Sequence, residues 1–355
     1  MLLLSKTTNS NQQLEGVRRA GEDVGMIPDR DTVIRGAGAI LLICLVGVAF
    51  VGSYVGALHD PQPHEVPISV VGPPELAAKL GESGAFKPKT ADSPEAAAEA
   101  IDKREVYASV VATPSLTTVT TAPAAGVPVS EVIDEKLVPA LRAEGAKVKT
   151  AEVHGLGDED ARGLSGFYLS VGWTVAGYLG ATFLGLIFTT APGLRRTELR
   201  LAAIAVLAIA MGLLGTAMVH LLGALDGSFL ASSAIGALTV FAVGAATVAL
   251  QSMFGIIGTG FAIIIFVVLG NPSSTGPLSA EMMPGLWRTI GPFIPIGAAV
   301  DTLRNLSYFP AASNTGSIVV LLAWAVLGSG IALLRGNRNE RLRRADKDVL
   351  RATSH

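Results

Sequence analysis

Long apolar stretches separated by short polar segments fill the second half of the chain, and one further apolar stretch lies near its start. A helix that crosses a membrane needs about 20 apolar residues, because each residue adds about 1.5 Å against a hydrocarbon core about 30 Å thick. The fifth stretch is short, and only QSMFG separates it from the fourth, so a single bent helix over 229–270 is the alternative. The pattern predicts six transmembrane helices, at 36–58, 166–190, 201–225, 229–251, 255–270 and 317–334.

A different pattern fills residues 59–165, between the first and second predicted helices. Short strand and helix signals alternate there, in the order strand, helix, strand, helix, strand, strand, helix, strand. VPISVVG is typical of a buried strand, and Ser93 followed by Pro94 is a typical helix start, whereas Pro139 is expected to kink the last helix. The order predicts an α/β domain inserted between helices 1 and 2.

Composition agrees with a membrane protein. The chain of 355 residues is 50% hydrophobic and only 16% charged, and its mean hydropathy is +0.50. The net charge of −2 gives no argument for nucleic-acid binding. The single cysteine, Cys44, lies in the first predicted helix, so the α/β domain cannot contain a disulfide.

The distribution of charge predicts the orientation. Lys and Arg concentrate in the N-terminal tail (1–35), in the segment APGLRRTELR between helices 2 and 3, and in the C-terminal tail (335–355), which six helices place on one, cytoplasmic side. The stretch 60–162 carries 17 acidic and 10 basic residues, a net charge of −7, and is predicted to be extracytoplasmic. The protein is therefore expected in the plasma membrane with both termini inside. A cleaved signal peptide ending at VGA (55–57) is the alternative for the first helix.

The segment LGNPSSTGPLSAEMMPGLWRTIGPFIPIG is too rich in Pro and Gly for one helix and too apolar for an ordinary loop. Non-helical backbone at membrane depth is tolerated only where protein buries it or where it lines a wet cavity. We expect a re-entrant segment of short helices over about 271–309, within a five-helix transmembrane domain spanning 166–334. The alternative is a loop on the lipid surface anchored by Trp287.

Three stretches resemble a known family. They are DSPEAAAEAIDKREVYASVV (92–111), GLSGFYLSVGWTVAGYLGA (163–181) and LGNPSSTGPLSAEMMPGLWRTIGPFIPIGAAVDTLRNLSYF (269–309). Their order resembles the YhgE/Pip-like (phage infection protein-like) group of the ABC-2 type transporter permease superfamily. The resemblance implies a permease subunit that pairs with a second permease, as a homodimer or heterodimer, and works with a separate cytoplasmic ABC ATPase.

Two groups of residues are candidates for the functional site. Ionisable side chains near membrane depth are costly and often functional, and Asp301 and Arg304, three residues apart, are expected to pair on one helix face. The resemblance places the contact with an ATPase in APGLRRTELR, whose charges also serve as a topology signal. The candidates are Glu281, Trp287, Arg288, Asp301 and Arg304 for transport, and Arg195, Arg196, Glu198 and Arg200 for ATPase coupling.

These observations favour a permease that exports an unidentified substrate and meets membrane lipid and partner subunits, without nucleic acid. The alternative is a non-transporting surface protein, a phage receptor or envelope secretion accessory, whose outer domain binds partners. The sequence contains no G-x-x-x-x-G-K-[ST], H-E-x-x-H or G-x-S-x-G motif, so no enzyme activity is predicted. The cluster HDPQPHE at 59–65 matches no ligand spacing of an established metal site, and we predict neither a metal nor a cofactor.

The predicted orientation can be tested by cysteine labelling. In a Cys44→Ala background, Ser83→Cys probes the α/β domain and Ser354→Cys probes the C-terminal tail. A membrane-impermeant maleimide added to intact cells is expected to label position 83 only, and position 354 only after the cells are permeabilised. Equal labelling of both positions in intact cells would contradict the orientation.

Overall fold

The apolar stretches form long helices in the computed structural model, which describes residues 30–188 and 193–353. The predicted N-terminal tail up to residue 29, the last two residues of the second predicted transmembrane helix (189–190) and residues 354–355 lie outside the described residues. Within that part of the chain, five helices are long and apolar enough to cross a membrane. They are α1 (Arg30–Leu58), α6 (Ser165–Ile187), α7 (Gly193–Leu221), α8 (Phe229–Phe254) and α13 (Thr315–Thr353).

The chain divides after Ala49 into two compact units. The first contains the described residues 30–49, an apolar stretch of α1 that includes the exposed Cys44. The second runs from Phe50 onward, and it contains both the α/β region and the remaining long helices. The α/β region, predicted as a separate domain, is therefore part of the same compact unit as these helices.

Helix α8 lies at the centre of the second unit, and 72% of its most apolar window is buried. Small residues let its neighbours approach closely. A Cβ added at Gly236 would come within 2.4 Å of the Trp173 ring on α6, and one at Gly244 within 2.6 Å of Ile204 on α7. These glycines are packing contacts between helices.

The segment predicted as the fifth transmembrane helix differs from the expectation. It forms an apolar helical run, Ile257–Ser273, which is shorter than the five long helices. The run consists of α9 (Ile257–Ile263), a π-helical turn (Ile264–Leu269) and α10 (Gly270–Ser273).

The alternative of one bent helix over 229–270 is wrong. Helix α8 ends at Phe254, and Gly255 has a φ of 61°, a left-handed conformation that glycine adopts without strain. The chain then returns along α8, because a Cβ on Gly258 would lie 2.4 Å from the Leu250 carbonyl carbon. Gly255 therefore forms the turn of a tight hairpin between α8 and the helical run Ile257–Ser273.

The α/β region contains a five-stranded sheet in the order β2-β1-β3-β4-β5. Strand β4 is antiparallel to β3, and the other neighbouring pairs are parallel. The predicted order of strands and helices is confirmed. The elements are β1 (Val66–Val71), α2 (Pro74–Gly81), β2 (Phe86–Thr90), α3 (Pro94–Asp102), β3 (Ala108–Ala112), β4 (Thr117–Thr121), α4 (Val127–Val132), α5 (Val138–Ala143) and β5 (Val148–Glu152).

Local chemistry explains two of these helices. The Ser93 side chain accepts a hydrogen bond from the Ala96 amide at 3.2 Å, and Pro94 occupies the first turn of α3, as the sequence predicts. A π-helical turn, Ile133–Leu137, joins α4 to α5 directly before Pro139. Proline removes a backbone donor and crowds the preceding turn, so the expected irregularity occurs there.

The segment 271–309 consists of short helices that pack against the sheet. After α10 come a 3₁₀ turn (Ala280–Met282), α11 (Gly285–Ile290), a second 3₁₀ turn (Gly291–Phe293) and α12 (Pro295–Tyr308). Leu278, Met282 and Met283 are buried in the same hydrophobic cluster as the sheet residues Ile68 and Val110. The segment thereby completes the core of the α/β region.

A second cluster joins the other end of this segment to the α/β region. Phe309, directly after α12, is fully buried with Ile101, Val106 and Ala122. Its ring centroid lies 4.6 Å from that of His154. The segment 271–309 therefore packs against the α/β region at two places, first through Leu278, Met282 and Met283 and then at Phe309.

Replacing Met283 by Ala is expected to lower the free energy of unfolding by about 2–5 kcal/mol, because it leaves a cavity in the shared core. The matched control is Met218→Ala at an exposed position on α7, where the change is expected to stay within about 0.5 kcal/mol. Thermal unfolding of the purified full-length protein in detergent measures both. Equal shifts for the two variants would contradict the shared core.

Candidate functional site

Arg104 reaches the helical bundle from a helix end in the α/β region. It follows α3 with a φ of 55°, a conformation that is unfavourable for a residue with a Cβ. Its amide bonds to the Ile101 carbonyl at 2.8 Å, and the next amide, of Glu105, bonds to the Ala100 carbonyl at 2.8 Å. This is a Schellman cap, a position that glycine usually occupies. An arginine there indicates that its side chain has a use that offsets the strain.

The Arg104 guanidinium contacts one face of α12, where one of its amino groups also donates to the Asp301 carbonyl at 3.5 Å. One amino group lies 2.7 Å from a carboxylate oxygen of Asp301, and the other donates to the side-chain oxygen of Asn305. The second Asp301 oxygen accepts a hydrogen bond from the Ser317 hydroxyl at 2.8 Å. The side chains of Arg104 and Asp301 are 17% and 34% exposed, so the pair is only partly screened by solvent.

Tyr107, directly before β3, makes another polar contact between the α/β region and the segment 271–309. Its hydroxyl donates to a carboxylate oxygen of Glu281 at 2.6 Å. Burial, and then the negative charge of Glu281, raise the pKa of Tyr107 well above its ordinary value. The phenol therefore keeps its proton at neutral pH and remains the donor in this bond. The backbone of Glu281 also accepts a hydrogen bond from the His64 amide at 2.8 Å.

The predicted pair between Asp301 and Arg304 is wrong. Asp301 pairs with Arg104, while Arg304 donates to the Thr275 carbonyl at 2.9 Å. The expectation failed because a shared helix face permits a local pair, whereas Arg104 approaches from a distant part of the sequence.

Trp287, the proposed lipid anchor of the alternative interpretation, packs inside the protein. Its indole nitrogen donates to the Ser53 hydroxyl at 3.1 Å, and its ring fills the space beside Gly56, where a Cβ would lie 2.9 Å away. Trp287 thus fastens α11 to the end of α1. Arg288 is partly buried on the same short helix and does not line the cavity described next.

The contacts of Arg104 with Asp301 and of Tyr107 with Glu281 border a cavity of about 550 Å³ between the sheet and the bundle, which we call the sheet-side cavity. Its polar lining carries both signs of charge, an arrangement suited to binding a polar or zwitterionic group. The charged and hydroxylated lining residues are Arg104, Glu105, Tyr107, Thr275, Glu281, Asp301, Arg304 and Ser317.

The second candidate group lies at the other end of the bundle. The predicted loop APGLRRTELR is helical from Gly193 onward, so its charges belong to the first turns of α7. Arg195 and Glu198 are exposed, whereas Arg196 is partly buried and donates to the Gly185 carbonyl at 2.8 Å. Arg200 is buried and cannot contact a partner protein in this conformation.

The described residues contain no group of three His, Cys, Asp or Glu side chains that could hold a metal ion. Comparison with protein-family models, curated proteins and solved structures finds no match to this chain. The function must therefore be argued from the geometry and from the resemblance of the three quoted stretches.

Sequence reasoning identified Glu281, Asp301 and Arg304 but missed their neighbours Arg104, Tyr107 and Asn305. One signal was present for Arg104. The helix SPEAAAEAID ends without a glycine, so another residue has to adopt the left-handed cap. Nothing in the local sequence indicates that Tyr107 meets Glu281, 174 residues later in the chain.

A double-mutant cycle tests the pair between the α/β region and α12. Arg104→Gln and Asp301→Asn are each expected to destabilise the protein by about 1–3 kcal/mol, and the double variant by less than their sum, because each single change leaves a partly buried charge unpaired. The control cycle uses Lys79 and Glu144, an exposed pair 2.9 Å apart, with an expected coupling below about 1 kcal/mol. Additive effects at Arg104 and Asp301 in thermal unfolding would exclude a working pair.

Proposed function

We propose that this protein is the permease subunit of an ABC-2 type transporter that exports an unidentified substrate. In this proposal it pairs with a second permease and draws energy from a separate cytoplasmic ATPase. The observation that carries the proposal is the course of residues 255–304. Gly255 and Thr259 line a cavity at one end of the bundle, whereas Thr275 and Arg304 line the sheet-side cavity at the other.

The length of α13 gives the separation of these two cavities. On this helix Ser317 and Val320 line the sheet-side cavity, whereas Gly336 and Arg343 line the other, so the lining residues are 16 to 26 residues apart. At about 1.5 Å per residue this is roughly 24–39 Å, a range that includes the thickness of the hydrocarbon core of a bilayer, about 30 Å. Irregular backbone that runs between two polar cavities is typical of the broken helices in transporters.

The course of residues 255–304 also supports six membrane crossings. The run Ile257–Ser273 covers only about 25 Å as a helix, but the short helices that follow continue from its end to the sheet. A sixth crossing places the N-terminal tail and the C-terminal tail on the same side, as their basic charge favours. The α/β region is then extracytoplasmic, and the protein is a multi-pass protein of the plasma membrane.

The alternative, a surface protein whose α/β region alone does the work, has less support. An anchor needs no shared hydrophobic core with the part it anchors. Here Met283 and Phe309 enter the α/β region from the segment between the membrane helices, and Arg104 pairs with Asp301. The α/β region and the bundle therefore share both hydrophobic and polar contacts, which an anchor does not require.

A photo-crosslinking amino acid at Arg195 tests the predicted ATPase contact in cells of the native host. We expect a crosslink to a cytoplasmic protein with a nucleotide-binding P-loop, because Arg195 is exposed at the end of α7. The same amino acid at Leu214, exposed on the apolar part of α7, is the control and is expected to yield no such product. Mass spectrometry identifies the products.

The proposal fails if position 195 and the neighbouring exposed Glu198 both give no P-loop protein while the tagged protein is normally expressed. If only α/β-region positions then capture a protein, the surface-protein alternative holds instead.

A further inference from the structure

The cavity at the Arg195 end of the bundle has a volume of about 560 Å³. It is bounded by the C-terminal ends of α6 and α8, the first turns of α7, the start of α9 and the second half of α13. We call it the arginine cavity. Its polar lining side chains are Thr182, Arg196, Thr197, Arg200, Gln251, Ser252, Thr259, Asn339 and Arg343.

The charge of this cavity is entirely positive among the lining residues that the structure describes. Arg196 and Arg200 are four residues apart on α7, so they lie on one helix face and repel each other. Of the nearby carboxylates, Glu198 is exposed on α7 and does not line the cavity, and Glu340 is bonded to Arg344. Three arginines thus share one cavity without a lining counter-charge.

Two of these arginines also have unused hydrogen-bond donors. Arg200 is only 7% exposed and donates to the Ala181 carbonyl at 2.8 Å and to the Gln251 side-chain oxygen. Its Nε atom is buried without a partner, and so is the Nε atom of Arg196. A buried unsatisfied donor is costly, and more so on a charged group. An anion in the cavity would offset the positive charge of both guanidinium groups, although these two Nε atoms are themselves buried.

The rim of the cavity has a different character. Leu186, Ile256 and Leu342 are lining residues with exposed apolar side chains. Basic pockets between membrane helices are suited to anionic headgroups, with acyl chains along the neighbouring apolar surface. The rim therefore favours a phosphate that is carried by a lipid.

We propose that the arginine cavity is a binding site for a phosphate group, held by Arg196, Arg200 and Arg343 and presented by an anionic phospholipid. Bidentate hydrogen bonding makes arginine well suited to phosphate. A free phosphate ion offers the same oxygens without acyl chains. The site does not depend on transport, so it stands or falls independently of the proposed permease function.

The experiment uses the full-length protein in phosphatidylcholine nanodiscs. Native mass spectrometry counts phosphatidylglycerol that remains bound when this lipid is added in a titration. In parallel, inorganic phosphate is compared with chloride at equal ionic strength for its effect on the unfolding temperature. Arg343→Gln is the main variant, because this residue is exposed and its replacement leaves the packed core intact, and Arg196→Gln is the second.

The matched control is Arg341→Gln, which removes the same charge from an exposed position of α13 that does not line the cavity. We expect phosphatidylglycerol to bind the wild type and the control alike, and Arg343→Gln and Arg196→Gln about tenfold more weakly. Stabilisation by inorganic phosphate, lost in the same two variants, would support the phosphate site with a soluble source. The proposal would be overturned if all three variants bound phosphatidylglycerol equally weakly. It would also be overturned if the wild type neither bound phosphatidylglycerol nor was stabilised by inorganic phosphate.

Discussion

The burial of one membrane segment in the core of the α/β region is the constraint on which the rest of the structure depends. Met283 and Phe309 are fully buried there, and each buried side chain of this size contributes about 1.5–3 kcal/mol. The segment 271–309 contains too many helix breaks to satisfy its own backbone, so it needs protein on its surface. The sheet supplies that surface, and the segment in turn supplies the apolar side chains that the sheet's core requires.

The polar layer between these two hydrophobic contacts has a different role. Replacing a partly buried ion pair with apolar residues is often neutral for stability, so the Arg104 and Asp301 pair is weak evidence of stabilisation. Its position is more informative, because Arg104 adopts the left-handed backbone of the helix cap and from there its side chain contacts α12. The pair joins α12 to the α/β region, and both of its members line the sheet-side cavity.

Local signals in the sequence were sufficient to predict most helices and strands. They were insufficient to predict which distant residues contact each other. The Ser93 cap and the order of strands and helices along the chain follow from short-range chemistry, and they were predicted correctly. Gly255 was the signal for the hairpin, but a glycine inside an apolar run does not reveal its backbone angle. Arg200 looked like a loop charge because its burial depends on Ala181 and Gln251 from two other helices. Contacts of that kind have no signature in the sequence around either residue.

The two cavities are connected by the run Ile257–Ser273, whose regular hydrogen bonding is interrupted by the π-helical turn Ile264–Leu269. Such turns break the one-bond-per-residue pattern of an α-helix and recur at functional sites. Thr259 lines the arginine cavity on one side of the turn, and Thr275 lines the sheet-side cavity beyond the other. The run and the chain that follows it thus contribute to both cavities. Beyond the run, Met283 is buried against the sheet, so this part of the chain extends from the arginine cavity to the core of the α/β region.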